Sequence, residues 1–184
     1  MHEEIIFAGF GGQGVLFAGQ LLAYTALEEG KHVTWIPSYG PEMRGGTANC
    51  TVVVSDDPIG SPVCKHPSIA VVFNNPSLEK YESVTADGGL LVVNQSLIVT
   101  PPARDDIEIV LIPATAIASE LGQVRVTNMV LLGALLARKP LVAMETVQHV
   151  LQQKLGQRKA HLHEVNITAL ERGIALGTIQ HETA

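Results

Sequence analysis

The chain has 184 residues, 46% of them hydrophobic and 16% charged, a balance typical of one globular domain with a large core. Its formal net charge of −6, without a cluster of lysine or arginine residues, argues against a nucleic-acid partner. The longest apolar run, residues 129–137, is far shorter than the ~20 residues that a membrane-spanning helix needs, so we expect no membrane association. The chain opens with Met1-His2-Glu3-Glu4 and no positively charged leader before an apolar stretch, so we expect a cytoplasmic location.

The first residues predict a β-α-β unit. An apolar strand at residues 4–8 is followed by a glycine-rich turn, a helix over residues 15–29 and a second strand over residues 32–37. Gly30, directly after the helix, is a typical helix stop. Because such units favour parallel strands joined by right-handed crossovers, this beginning predicts a parallel sheet.

The rest of the chain continues the alternation of strands and helices. Further strands are predicted over residues 47–55, 69–74, 90–94 and 107–112, and further helices over residues 77–83, 115–121, 128–138, 144–155 and 163–176. No internal repeat or linker divides the chain, so residues 1–184 should form a single domain. The predicted fold class is α/β, a three-layer open sheet, mostly parallel, with helices on both faces.

Two predicted helices are apolar nearly all round. They cover residues 15–27 and 129–137, and a helix that only covers a sheet should carry a polar outer stripe. We therefore expect an apolar face that another subunit covers, and a homodimer when the chain is isolated. The alternative is that each helix is sandwiched within this one domain.

The first candidate site is the turn at residues 9–14. Gly9, Gly11 and Gly14 have the G-x-G-x-x-G spacing of a dinucleotide-binding turn, in which backbone amides at a helix start face an anion. The second strand, however, does not end on the carboxylate that would hold a ribose, and Val15-Leu16 replace the Lys and Ser/Thr of a nucleotide-triphosphate loop. Another anion, a close backbone contact with a partner, or simply a tight strand–helix turn remain as interpretations.

The second candidate site is the loop at residues 38–46, which follows the second strand at the carboxyl edge of the sheet, where open α/β proteins place ligands. Arg44 can bind a carboxylate or phosphate bidentately, and Glu42 could orient it. An ordinary solvated ion pair in a turn is the alternative.

Complete catalytic or metal sites are not recognisable. The sequence has no G-x-S-x-G and no nucleophile motif, and the pair His161 and His163 has no third metal ligand nearby, so an exposed pair is favoured. Cys50 and Cys64 do not form a C-x-x-C motif, which favours buried thiols over a zinc or iron–sulfur site. We therefore predict no catalytic residues and no metal in this chain.

Five segments together carry a family resemblance. They are GFGGQGV at residues 9–15, SYGPEMRGG at 38–46, NPS at 75–77, PATAIA at 113–118 and NMVLLGA at 128–134. With them the chain resembles the gamma subunit of the 2-oxoacid:ferredoxin oxidoreductases, the pyruvate/ketoisovalerate oxidoreductase gamma-domain family. The similarity covers most of the chain, and the first two segments are specific when they occur together.

The resemblance implies a multisubunit, oxygen-sensitive enzyme that decarboxylates a 2-oxoacid onto coenzyme A and reduces ferredoxin. It implies that thiamine diphosphate and iron–sulfur clusters reside in other subunits, with alpha, beta and possibly delta chains as partners and ferredoxin reached through the complex. The form of the second loop is more similar to the 2-oxoglutarate type than to the pyruvate type, while a branched-chain or indolepyruvate enzyme stays open. A stand-alone nucleotide-binding regulatory module is the alternative from another class.

The resemblance also assigns residues to two sites. The candidates for binding the coenzyme A phosphates, or another anion, are Gly9, Gly11, Gly12, Gln13 and Gly14. The loop expected to face the catalytic subunits consists of Ser38, Tyr39, Gly40, Pro41, Glu42, Arg44, Gly45 and Gly46.

Overall fold

A computed structural model describes residues 1–39, 46–156 and 161–182. Its strands are β1 (His2–Phe10), β2 (His32–Tyr39), β3 (Thr47–Ser55), β4 (Ile69–Val72), β5 (Leu90–Asn94) and β6 (Glu108–Ile112). Its helices are α1 (Val15–Glu28), α2 (Asn75–Tyr81), α3 (Ala114–Glu120), α4 (Thr127–Arg138), α5 (Met144–Leu155) and α6 (His163–Glu182). The predicted order of elements is confirmed, with ends that shift by a few residues.

The six strands form one sheet in the order β2-β3-β1-β4-β5-β6. β1, β4, β5 and β6 pair in parallel, whereas β3 is antiparallel to both of its neighbours, β1 and β2. β2 therefore runs in the same direction as β1 but is separated from it by β3. The predicted mostly parallel α/β sheet is confirmed, with β3 as the one reversed strand among those described.

β1 is longer than predicted because β3 pairs along its whole length. The register runs from His2 opposite Ser55 to Phe10 opposite Thr47. This pairing extends β1 through Gly9 and Phe10, the first two residues of the glycine turn, and brings the start of β3 to the same edge. The carboxyl ends of five strands and the amino end of β3 thus meet at one edge of the sheet, where the site lies.

The two faces of the sheet are covered unequally. Alternate side chains such as Phe7 and Val71 point to a large core that contains α1 and α3 to α6, and their neighbours Ile6 and Ala70 point to a smaller core closed by α2. This alternation is the two-residue period of a β-strand with both faces buried. Helices on both faces, as predicted, are present.

The apolar helix at residues 129–137 does not form a docking face. Every residue of Thr127–Leu136 is buried, because α4 contacts β5 and β6 on one side and α6 on the other. The two helices approach so closely that a Cβ on Gly133 would lie 2.1 Å from the carbonyl oxygen of Leu170, and one on Gly173 would lie 2.0 Å from that of Val130. The expectation of an external partner for α4 was therefore wrong, since α6 is the partner.

α1 keeps part of the expected apolar surface. Most of the helix is buried against β2, β3, α4 and α5, but Tyr24 and Leu27 remain 45% and 59% exposed. They border a groove of about 200 Å³ that Ala23, Val33 and Trp35 also line. A covering subunit at this end of α1 stays a prediction.

The cysteines lie where thiols stay neutral. Cys50 is fully buried in β3 against α1, and burial raises its pKa to about 12. Cys64 is half-buried, and burial together with the neighbouring Glu4 raises its pKa to about 12 as well. Across residues 1–39, 46–156 and 161–182, no group of three His, Cys, Asp or Glu side chains could hold a metal ion, and no helix is long and apolar enough to cross a bilayer.

Candidate functional site

The candidate site is the turn that joins β1 to α1 at the carboxyl edge of the sheet. Gly12 and Gly14 adopt φ angles of 97° and 76°, in the left-handed region that favours glycine. Gly14 is the N-cap of α1 and offers no side chain to the first turn of the helix. The sequence therefore builds a helix start whose amide groups are left to another acceptor.

Gly9, Gly12 and Gly14 have three different reasons to be glycine. A Cβ on Gly9 would lie 2.6 Å from Oε1 of Gln13, so Gly9 makes room for that side chain. A Cβ on Gly14 would lie 2.5 Å from Nδ2 of Asn128, so Gly14 makes room for α4. Around Gly12, between them, no atom of the described residues lies within 4 Å of a Cβ, so Gly12 faces open space among them.

The start of α1 is suited to an anion. Among the residues that the structure describes, the amide groups of Val15, Leu16 and Phe17 have no acceptor, and the first turn contains no acidic side chain. Free amides at a helix N-terminus and the partial positive charge of the helix both favour negative charge. This supports the interpretation of the turn as an anion site.

Two clefts meet at this turn. One, of about 260 Å³, lies between Gly11–Gly12 and the start of β3 at Gly46–Ala48. The other, of about 400 Å³, lies between the turn and a wall that includes Arg125, His161 and Asn166. Gly12, Gly14 and Phe17 line both clefts, so a ligand on the turn could extend in either direction.

The second cleft places a positive charge near the turn. Arg125 is exposed, and no carboxylate among the described residues lies within salt-bridge distance of it. Asn128, which also lines the cleft, donates from Nδ2 to the carbonyl of Gly14 over 3.1 Å and so attaches α4 to the turn. A cation and a helix start on one cleft are the elements of a phosphate site.

The second predicted loop meets the first at its end. The amide of Gly11 donates to the carbonyl of Gly46 over 2.9 Å, and Gly46 borders the first cleft. Ser38 is exposed near the end of β2, and Tyr39 is its last residue. Gly40, Pro41, Glu42, Arg44 and Gly45 lie outside the described residues.

Gln13 differs from the other predicted anion-binding residues, because its side chain turns toward the protein. Its Oε1 accepts from the amide of Phe10 over 2.7 Å and from Nδ2 of Asn74 over 3.1 Å. The structure thus brings Gly11, Gly12 and Gly14 to the clefts, and uses Gly9 and Gln13 beneath the turn.

Sequence reasoning did not place Arg125, His161 and Asn166 at the site. They lie more than one hundred residues after the turn in the chain and reach it only because α4 packs against α1 and α6 packs against α4. The one sequence signal for this wall was the NMVLLGA segment, which begins at Asn128. Its spacing alone indicates a capped helix and not a cleft.

Comparisons with known proteins agree with this architecture. The family model described as "Pyruvate ferredoxin/flavodoxin oxidoreductase" matches residues 4–176. The ketoisovalerate oxidoreductase subunit VorA of Methanothermobacter marburgensis is 42% identical over 134 residues, which are 73% of this chain and 28% of VorA. The chain therefore spans only about a quarter of that relative's length.

Other relatives match from end to end. The 2-oxoglutarate synthase subunit KorC of Methanocaldococcus jannaschii is 35% identical over 176 residues, which cover 94% of this chain and 92% of KorC. The crystal structure of a keto/oxoacid ferredoxin oxidoreductase gamma subunit from Geobacter sulfurreducens aligns with a TM-score of 0.83 at 26% identity, over 97% of this chain and 98% of that one. The chain therefore belongs to the pyruvate ferredoxin/flavodoxin oxidoreductase family, as a subunit of the gamma type.

Proposed function

We propose that this gamma-type chain works in a 2-oxoacid:ferredoxin oxidoreductase that oxidatively decarboxylates 2-oxoglutarate, releasing CO2, transferring the acyl group to coenzyme A and passing two electrons to ferredoxin. The observation that carries the substrate is the end-to-end match with KorC, 94% of this chain against 92% of the relative. VorA is more identical over the part that it shares, so a branched-chain 2-oxoacid is the competing substrate.

The proposed partners are the alpha and beta subunits, with delta as a possible third and ferredoxin as the acceptor of the whole complex. The match to VorA supports assembly, because there the same domain is 28% of a longer chain. In VorA this domain is joined to further sequence in one chain. Where the domain is a separate chain, we expect it to bind the corresponding further sequence as a separate subunit. Thiamine diphosphate and the iron–sulfur clusters are proposed to belong to those subunits.

The proposed role of the turn at residues 9–14 is to bind a phosphate of coenzyme A. Support comes from the unpaired amides at the start of α1, the open space at Gly12 and the nearby charge of Arg125. A helix start is worth only about 0.3–2 kcal/mol to an anion, which is too little to hold coenzyme A by itself. Tight binding should therefore need the assembled complex.

The end of α1 is the proposed contact for another chain. Tyr24 and Leu27 are exposed beside an apolar groove, and in the isolated protein a second copy would cover them as a two-fold dimer. Light scattering of the isolated chain at micromolar concentration should show a dimer. A clean monomer that Leu27→Glu does not alter would contradict this contact.

Purification from the native source tests the proposal as a whole. A tagged chain should co-purify with larger subunits, and that complex should reduce ferredoxin faster with 2-oxoglutarate than with pyruvate or 3-methyl-2-oxobutanoate. The isolated chain should be colourless and inactive. A monomer that binds a nucleotide tightly without companions would instead favour a regulatory nucleotide-binding module.

A further inference from the structure

The underside of the glycine turn holds a pair of amide side chains that the proposed phosphate contact does not use. Gln13 is half-buried, and its Oε1 receives two hydrogen bonds, from the Phe10 amide over 2.7 Å and from Asn74 Nδ2 over 3.1 Å. With two donors on it, this carbonyl oxygen has both lone pairs engaged within the protein. The carbonyl end of the side chain therefore serves the protein, and a hydrogen bond to an anion could come only from its Nε2.

Asn74 occupies the other end of this contact. It is 3% exposed, and its Oδ1 accepts from the amide of Ser77 over 3.0 Å, which caps α2. Because Oδ1 is an acceptor in this cap, Nδ2 must be the atom that faces Gln13, and the amide orientation is settled by its two partners. One buried side chain thus connects the start of α2 with the turn before α1.

The backbone around the pair supports the same connection. The amide of Phe73 donates to the carbonyl of Ala8 over 2.9 Å, so β4 follows β1 up to the turn. Gly9 has no side chain where Gln13 folds back, and a Cβ there would lie 2.8 Å from Cβ of Phe73. The turn is therefore held from below by β4 and Asn74, while its upper side stays open.

We infer that Gln13 and Asn74 form a latch that positions the glycine turn for its anion, with Oε1 of Gln13 as the positioning group. This inference rests on the proposed phosphate role of the turn. Gly12 and Gly14 keep left-handed backbone angles, and a turn of this kind has many alternatives when nothing holds it. The latch reduces those alternatives before the ligand arrives, so the ligand binds without having to order the turn.

Asn74→Asp breaks the latch at one atom. The new carboxylate retains the acceptor that caps α2, and aspartate is a good N-cap, but it replaces the donor to Gln13 by a second acceptor. Asn75→Asp is the matched control, since it makes the same change one residue later. Asn75 faces Glu79 and the amide of Val99, and it does not contact Gln13.

Two measurements decide the inference. In the reconstituted complex, Asn74→Asp should raise the KM for coenzyme A about tenfold with little change in kcat, whereas Asn75→Asp should change it less than about twofold. In the isolated chain, Asn74→Asp and Gln13→Ala should speed hydrogen exchange of the Phe10 amide. Gln13→Glu, which keeps the acceptor oxygen, should not.

The outcomes separate this inference from the proposed function. If Gly12→Val raises the KM for coenzyme A and Asn74→Asp does not, the phosphate site stands and the latch is wrong. An equal effect of Asn74→Asp and Asn75→Asp would also overturn the latch, because it would report the added charge. If Gly12→Val leaves the KM for coenzyme A unchanged, the phosphate role of the turn is wrong. Unchanged hydrogen exchange of the Phe10 amide in Gln13→Ala would overturn the latch, whatever the result for coenzyme A. Should Asn74→Asp not fold, Gln13→Ala carries both measurements.

Discussion

Glycine serves opposite purposes in two regions of this molecule. At the α4–α6 crossing, Gly133 and Gly173 are places where the backbone of one helix touches the backbone of the other, and a Cβ would lie within 2.1 Å of a carbonyl oxygen. At the turn before α1, Gly12 has a left-handed φ of 97° and empty space above it. Glycine at the crossing closes the core, and glycine at the turn leaves a surface open.

The difference predicts which variants lose stability and which lose function. A side chain added at the crossing meets backbone that cannot move without separating two helices. A Cβ added at Gly12 meets no atom of the described residues within 4 Å, so a side chain there is expected to displace a ligand rather than this part of the protein.

Gly133→Ala should destabilise the chain most. The added Cβ would lie 2.1 Å from the Leu170 carbonyl oxygen and 3.1 Å from the amide nitrogen of Ile174, so α6 must move away from α4. We expect the free energy of unfolding in urea to fall by about 3 kcal/mol, the upper part of the usual range for overpacked cores. Gly60→Ala, in a position where a Cβ meets nothing within 4 Å, is the control and should be nearly neutral. Equal unfolding midpoints for the two variants would refute the close crossing.

Gly19→Ala should have an intermediate effect, because the obstacle is a side chain. A Cβ on Gly19 would lie 2.4 Å from Sγ of Cys50 and 3.3 Å from Phe7. We expect Gly19→Ala to lower the free energy of unfolding in urea by about 1–2 kcal/mol. In a chain that already carries Cys50→Ala, the same substitution should lower it by less. Such a coupling would identify the thiol as the obstacle, whereas additive losses would contradict it.

Gly12→Val should change function more than stability. With a φ of 97°, the β-branched side chain strains the turn, and it also occupies the space proposed for the phosphate. The KM of the reconstituted complex for coenzyme A should rise at least tenfold, equivalent to about 1.4 kcal/mol, while its KM for ferredoxin stays constant. Gly30→Val is the matched control, since Gly30 has a φ of 78° and open space but lies at the far end of α1. If both variants raise the KM for coenzyme A equally, backbone strain and not ligand contact is responsible.

These contrasts also show how far the sequence could lead. Periodicity and the Gly, Pro and Asn residues between runs predicted the elements of the fold, because such signals are local. The reversed direction of β3 was not predicted, since it depends on which distant strand completes the edge of β1. Sequence spacing found the glycine turn but treated its glycines alike.

The site shows the same limit. The binding of the anion by Gln13 stays a prediction, and sequence reasoning did not show that its carbonyl oxygen faces Asn74, a contact across sixty-one positions of sequence. Arg125 was not predicted at all, because only the packing of α4 against α1 brings it to the cleft. Residues that a motif contains can be found from sequence, and residues that complete its surroundings depend on tertiary structure.

Arg125→Gln should have the smallest effect of these variants. It tests whether the bound phosphate reaches the second cleft. Arg125 lines the second cleft together with Gly12 and Gly14, and its guanidinium is exposed, so solvent weakens its attraction for a phosphate. We expect the KM for coenzyme A in the complex to rise about threefold, with a larger difference at low ionic strength, because salt screens exposed charges. Arg172→Gln, which removes an exposed arginine paired with Glu120 over 3.3 Å, is the control and should leave this KM unchanged. Two results would place the phosphate in the first cleft, between the turn and β3. One is a rise in this KM by Arg125→Gln that does not depend on salt. The other is an unchanged KM in Arg125→Gln when Gly12→Val clearly raises it.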